Sequence, residues 1–188
     1  MKKLILPLLA LLFCSCNRES SVLMPGLKSD YFPLQAGNRW VFINSLSSDT
    51  LTYEINDTIV FGEHVYFERV LTFSDGTKNT DYFRVEENKV VLIYYEGKDY
   101  IYIDFDRPLE EEWNSYGDYY GYIRQRNISA QVKAGKFDNV TEVFMDNRSV
   151  SDGFEFNRYA PDVGPVESIR FRVTLTLINA RVNGVDYP

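Results

Sequence analysis

The chain is poor in the side chains that carry most catalytic and metal chemistry. Among 188 residues there is one histidine, His64, and the two cysteines, Cys14 and Cys16, stand a single residue apart. Metal sites built from several His and Cys ligands, and nucleophile arrangements that need a paired imidazole, have too few members to assemble. No Lys/Arg block exists beyond Lys2-Lys3, and 27 acidic residues outweigh 20 basic ones for a net charge of −7. Phosphate neutralisation needs a clustered basic footprint, so no nucleic-acid partner is expected. No apolar run reaches the roughly 20 residues that cross a bilayer as a helix. Apolar and aromatic residues, at 45% and 15%, are by contrast ample for one packed domain.

The N-terminus reads as a secretory signal, with a basic start at Met1-Lys2-Lys3 and an apolar run from Leu4 to Phe13 broken only by Pro7. Phe13-Cys14-Ser15-Cys16 then places a small residue directly before Cys16, with polar Asn17-Arg18-Glu19 following. This resembles a lipobox, the site of bacterial lipoprotein signal peptidase, with Cys16 as the lipidated residue. Cys14 fits less well because bulky Phe13 precedes it, and a Cys14–Cys16 disulfide would be strained across one intervening residue.

Cleavage before Cys16 divides the chain into a signal peptide (1–15), a lipidated flexible tether (16–30) and a single β-rich domain (31–188). The loss of Lys2 and Lys3 leaves 18 basic against 27 acidic residues, a mature net charge of −9. Such a body is repelled by an anionic membrane surface, so attachment falls to acyl chains such as palmitate, each buried methylene contributing about 0.8 kcal/mol. Asn17, in place of an Asp that resembles an inner-membrane retention signal, points to the outer membrane of a Gram-negative bacterium.

From Tyr31 onward no stretch keeps an apolar period of 3.6 over ten residues, while alternation recurs throughout. Ile169, Phe171, Val173, Leu175 and Leu177 alternate with polar residues as one half-buried strand. Ile101, Ile103 and Phe105 oppose Tyr100, Tyr102 and Asp104 in a second. Val65, Phe67, Leu71 and Phe73 mark a third, with Arg69 the exception on its apolar face, and Leu51, Tyr53 and Ile55 begin a fourth. Val90–Tyr95 is apolar on both faces, as a central strand would be. Asp75-Gly76, Glu96-Gly97, Ala134-Gly135 and Asn183-Gly184 supply tight turns. The expected fold is all-β: about ten antiparallel strands in a curved, partly open barrel, or alternatively a two-sheet sandwich. At most a helical turn is expected near residues 108–113.

Three segments, Tyr31-Phe32-Pro33-Leu34-Gln35-Ala36-Gly37-Asn38-Arg39-Trp40, Ala134-Gly135-Lys136-Phe137 and Tyr159-Ala160-Pro161-Asp162-Val163-Gly164-Pro165-Val166, together resemble a group of Bacteroidota-type β-rich outer-membrane lipoproteins of unassigned function. The resemblance implies an envelope lipoprotein and brings no catalytic residues. A more distant likeness, to the curved half-barrels of lipoprotein carriers, implies acyl chains held on a concave face. On their own chemistry the three segments read as architecture: Pro33 and Gly37-Asn38 turn the chain before Trp40, Phe137 packs inward, and Pro161 to Pro165 form a rigid corner.

Candidate chemistry is sparse. Asp104 and Asp106 could flank a glycosidic bond as hydrolase carboxylates do, and His64 could act as a base only beside partners that the sequence does not place. Tyrosines concentrate in the middle third. Tyr100, Tyr102, Tyr119 and Tyr120 are the candidate ligand-binding residues, flat faces with a hydroxyl that suit a glycan or an envelope-protein partner. Asp49-Thr50-Leu51 and Asp57-Thr58-Ile59 resemble O-glycosylation acceptors, with Thr50 and Thr58 as the modified residues. The reading is of a non-catalytic binding or assembly module with no metal and no cofactor. An envelope glycan hydrolase and a lipid or lipoprotein carrier are the alternatives.

Overall fold

The computed structural model describes residues 30–87 and 89–188. The signal peptide, Cys16 and all but the last residue of the tether lie outside the described residues. Within them the chain forms thirteen strands: β1 (Arg39–Asn44), β2 (Thr50–Phe61), β3 (His64–Phe73), β4 (Lys78–Glu86), β5 (Val90–Tyr95), β6 (Lys98–Asp104), β7 (Trp113–Asn114), β8 (Tyr119–Val132), β9 (Gly135–Asn147), β10 (Glu155–Ala160), β11 (Gly164–Arg170), β12 (Val173–Val182) and β13 (Val185–Tyr187). No helix occurs among the described residues.

All the strands belong to one antiparallel sheet in the order β6-β5-β4-β3-β2-β1-β12-β11-β10-β9-β8-β7, with β13 added to β12. A sheet of this size must curl to bury one face. It curls almost into a closed barrel, with an unsealed seam where β6 and β7 come together. Trp113 bridges that seam, its Nε1 donating to the Tyr102 carbonyl at 3.3 Å. The indole lies over Gly121, where a Cβ would stand 2.8 Å from Trp113 Cζ2 and 2.6 Å from Met145 Sδ. Arg126 ties the crossing segment to β8 by donating to the carbonyls of Phe105 and Arg107 at 2.8 and 2.7 Å.

Successive hairpin turns alternate between the two ends of the barrel, and the ends differ. At one end the N-terminal segment closes the interior. Phe32 inserts among the rings of Phe83, Tyr102 and Tyr159, and Trp40 Nε1 donates to the Val163 carbonyl at 2.6 Å. Asn38 links Pro33 to the β12–β13 turn, donating to the Pro33 carbonyl and accepting from the Asn183 amide. Gly164, at φ +89°, packs so closely that a Cβ would meet Pro33 Cδ at 2.9 Å. Phe137 is buried in the same core. The three segments read as architecture therefore meet as one plug.

The structure differs from the sequence expectations in three places. The strand read from Ile169 to Leu177 is two strands, β11 and β12, joined by a turn at Phe171-Arg172. Alternation runs straight through this two-residue turn, which contains neither Gly nor Pro, so the sequence gives no break. Residues 108–113, where at most a helical turn was expected, form none. Leu109 instead makes a parallel bridge with Ile123, and Trp113 begins β7. Val90–Tyr95 is not central but one strand from the seam. Its outer face is nonetheless covered, because Tyr94, on the same face as Leu92, stacks on Phe61 from the β2–β3 hairpin at 4.2 Å. Finally, two-residue turns and short strands raise the count from about ten to thirteen, and the continuous sheet excludes the sandwich.

Candidate functional site

Toward the end opposite the plug, the inward positions of the strands change character. Arg69 of β3, Asp81 of β4, Tyr102 of β6, and Glu155, Asn157 and Tyr159 of β10 surround a cavity of about 310 Å³. Ser168 and Arg170 of β11 complete the wall, with Tyr116 and Tyr119 at the seam side. A wider vestibule of about 750 Å³ adjoins it, lined by residues of the β1–β2 and β3–β4 turns and sharing Tyr53, Leu71, Arg170 and Leu175 with the cavity. Arg69, Tyr53 and Pro165 also line a void of about 10 Å³ on the plug side, so they form the cavity floor.

Arg69 is the centre of this floor. It is 8% exposed, and its guanidinium lies 4.5 Å from the Phe83 ring centroid and 4.9 Å from that of Tyr53. Nη2 is bound to Asp81 Oδ2 at 2.7 Å, while Nε has no hydrogen-bond partner. Burial disfavours the charged guanidinium, but Tyr102, Asp81 and Tyr53 together more than offset it and hold Arg69 above its ordinary range. At the wall, Arg170 Nε meets Glu155 Oε2 at 2.6 Å, and Asn157 Nδ2 donates to Glu155 Oε1 at 3.0 Å. The Glu155 carboxylate raises Arg170 in turn.

The tyrosines are kept protonated. Burial pushes Tyr53 up to about 12, Tyr102 upward and Tyr159 well above its usual value. Tyr116 rises as well, again chiefly through burial. They are therefore hydrogen-bonding hydroxyls and ring faces at any physiological pH, not bases.

The structure separates the four nominated tyrosines. Tyr102 and Tyr119 line the cavity; Tyr100 and Tyr120 do not. Tyr102 had been placed on the polar face of its strand, opposite Ile103. A register shift pairs Val91 with Ile103 and Leu92 with Ile101, leaving Tyr102 in a bulge that turns it inward against Phe32 and Phe83. Tyr100 is half-buried beneath the Lys98 ammonium, 4.9 Å from its ring centroid. Tyr120 faces outward, its hydroxyl donating to Asp146 and its ring under Arg148.

The other candidates lie elsewhere. Asp104 is paired with Arg107 and Asp106 with Lys89, both at the plugged end and away from the cavity. His64 is exposed at the β2–β3 turn. Thr50 and Thr58 are both exposed on β2, with a bulge between Ile55 and Thr58 separating them. Among the described residues no group of three or more His, Cys, Asp or Glu could hold a metal ion.

The residues missed in the sequence are Arg69 as a site residue, Asp81, Glu155, Asn157, Ser168 and Arg170. One signal was present: Arg69 interrupts an otherwise apolar face. Ser168 and Arg170 were hidden because the alternation across Ile169 to Leu177 assigned them to solvent. Past the turn the faces exchange, so Arg170 pairs with Val173 and Ser168 with Leu175, all directed inward.

The fold and site together define an open antiparallel barrel, plugged at one end and holding a polar, aromatic cavity at the other. No protein-family model matches the chain, and no curated protein matches it. Two solved structures are similar. A "putative lipoprotein" from Parabacteroides distasonis is 16% identical, with 81% of this chain and 99% of that chain covered and a TM-score of 0.45. A "putative exported protein with YmcC-like fold" from Bacteroides fragilis is 12% identical, with the same coverages and a TM-score of 0.47.

Proposed function

We propose that this chain is a non-catalytic cell-envelope lipoprotein, anchored in the outer membrane through acylated Cys16, that binds a ligand in the open end of its barrel. The observation that carries the reading is the opposition of the two ends. The chain enters at Asp30, where the Asp30 carbonyl accepts from the Asp162 amide within the plug. A lipid anchor upstream of that point holds the plugged end toward the membrane and leaves the cavity facing away from it.

The lining also weighs against the alternatives. Of the carboxylates lining the cavity, Asp81, Glu155 and Glu167 are each engaged by an arginine and Asp152 stands exposed at the mouth, which suits fixed recognition better than a working acid and base. An acyl chain would leave those ion pairs without water or polar partners, a costly burial. Replacing Cys16 by Ser in the producing cell tests the anchor: the unaltered protein is expected in the membrane fraction and C16S in the soluble fraction. Membrane retention of C16S would overturn the assignment.

A further inference from the structure

We propose that the cavity takes a small, neutral, polyhydroxylated ligand, a sugar unit or the end of a glycan chain. The inference rests on the binding-module reading above and specifies its ligand class. Three observations point to it. The first is charge balance: the two guanidiniums that face the cavity are already matched, Arg69 by Asp81 at 2.7 Å and Arg170 by Glu155 at 2.6 Å. An anionic ligand would have to compete with a resident carboxylate for its cation, and a cationic ligand within the cavity with a resident guanidinium for Asp81 or Glu155, the carboxylate without an ion pair, Asp152, standing exposed at the mouth.

The second is unused hydrogen-bonding capacity. A guanidinium has five N–H donors and a carboxylate about four lone-pair sites, so each paired group retains several. Arg69 Nε stands without a partner, and Asn157, Ser168 and the tyrosine hydroxyls add both donors and acceptors. Vicinal hydroxyls, each donor and acceptor at once, match such a mixed array. A hydrocarbon chain satisfies none of it.

The third is the ring faces. Tyr116 and Tyr119 stack with centroids 5.1 Å apart at the cavity wall, and Tyr53 and Tyr102 face it from the floor. Flat aromatic surfaces beside polar groups suit a ligand with an apolar C–H face and a hydroxylated rim. The volume, about 310 Å³, lies at the small end of the range for ligand pockets.

Saturation-transfer NMR on the full chain in liposomes tests the assignment, with glucose, N-acetylglucosamine and maltose as neutral probes. Glucuronate, glutamate and hexanoate serve as anionic, zwitterionic and acyl probes. Transfer to at least one neutral saccharide is expected, with Kd about threefold to tenfold weaker in Tyr119→Ala and in Asn157→Ala, the loss of one ring face or one hydrogen bond. Melting temperatures identify whether either variant fails to fold, in which case the other carries the test. Stronger transfer to glucuronate, glutamate or hexanoate, weakened by the same variants, would overturn the ligand class and leave the binding site standing. Transfer to no probe, or transfer that both folded variants leave unchanged, would overturn the cavity as the site and with it the sugar.

Discussion

The two ends of the barrel are built from the same strands and differ in what those strands point inward. At the plugged end the inward positions are Phe32, Leu34, Trp40, Ile55 and Val166, all buried, and the polar atoms among them are spent on backbone groups, as in Trp40 to Val163 and Asn38 to Pro33. At the open end the inward positions are Arg69, Asp81, Glu155, Asn157, Ser168 and Arg170, which pair only in part with one another, Arg69 with Asp81 and Glu155 with Arg170 and Asn157. The rim repeats the contrast, since Leu46, Val150 and Phe171 project from its turns largely exposed. One end is packed to hold the fold, and the other carries the polar lining on which the proposed binding role rests. A packed apolar plug supplies stability that a polar cavity does not, and this lets the open end carry groups that are poor choices for a core.

If this division is right, substitutions at the two ends separate by magnitude. Trp40→Ala removes a buried indole and its hydrogen bond from the plug, and should lower unfolding free energy by about 3–5 kcal/mol in denaturant titration. A loss as small as that of a surface variant would break the comparison. Gly164→Ala should cost about 1–3 kcal/mol, because it sets an L-residue at φ +89° against Pro33. If that cost disappears when Pro33 is also made Ala, the contact dominates; if it persists, the backbone does.

The tyrosines that face the cavity give a pH signature. Tyr53 in the folded protein rises to about 12 from an ordinary value near 10. Between those two values the unfolded chain has released a proton that the folded chain still holds, so the folded state is progressively disfavoured as pH rises. Stability is therefore expected to be intact below about pH 10 and to fall toward pH 12, with phenolate absorbance of the folded protein lagging that of the unfolded chain. Coincident titration of all fourteen tyrosines with the unfolded chain would contradict the buried cavity. The smallest effect belongs to the rim: Phe171→Ser, at a residue 59% exposed, should change stability by no more than about 0.5 kcal/mol.

Some of this was legible from the sequence. Alternation with turn residues every few positions identified an all-β chain and a curved sheet, because side-chain period and turn chemistry are local properties. Pro33, Gly37, Trp40, Phe137 and Pro161 to Pro165 were correctly read as architecture, although not that they converge on one plug. Tyr102 and Ser168 show where local reading fails. A bulge that skips one residue on β6, and a two-residue turn that preserves parity while reversing the chain, both invert inside and outside without leaving a mark on the hydrophobic pattern. Arg69 left a mark, as a charge on an apolar face, but its partner Asp81 lies on the neighbouring strand and became meaningful only in register.

The sequence by itself determined the class of fold, the acidic balance of the chain and the scarcity of thiol and imidazole chemistry, since each depends on composition or on residues within a few positions of one another. Only the tertiary structure decided which end is closed and which residues face the cavity. Those depend on strand register and on the closure of a sheet whose seam joins residues such as Tyr102 and Trp113, and neither is encoded in any one stretch of the chain.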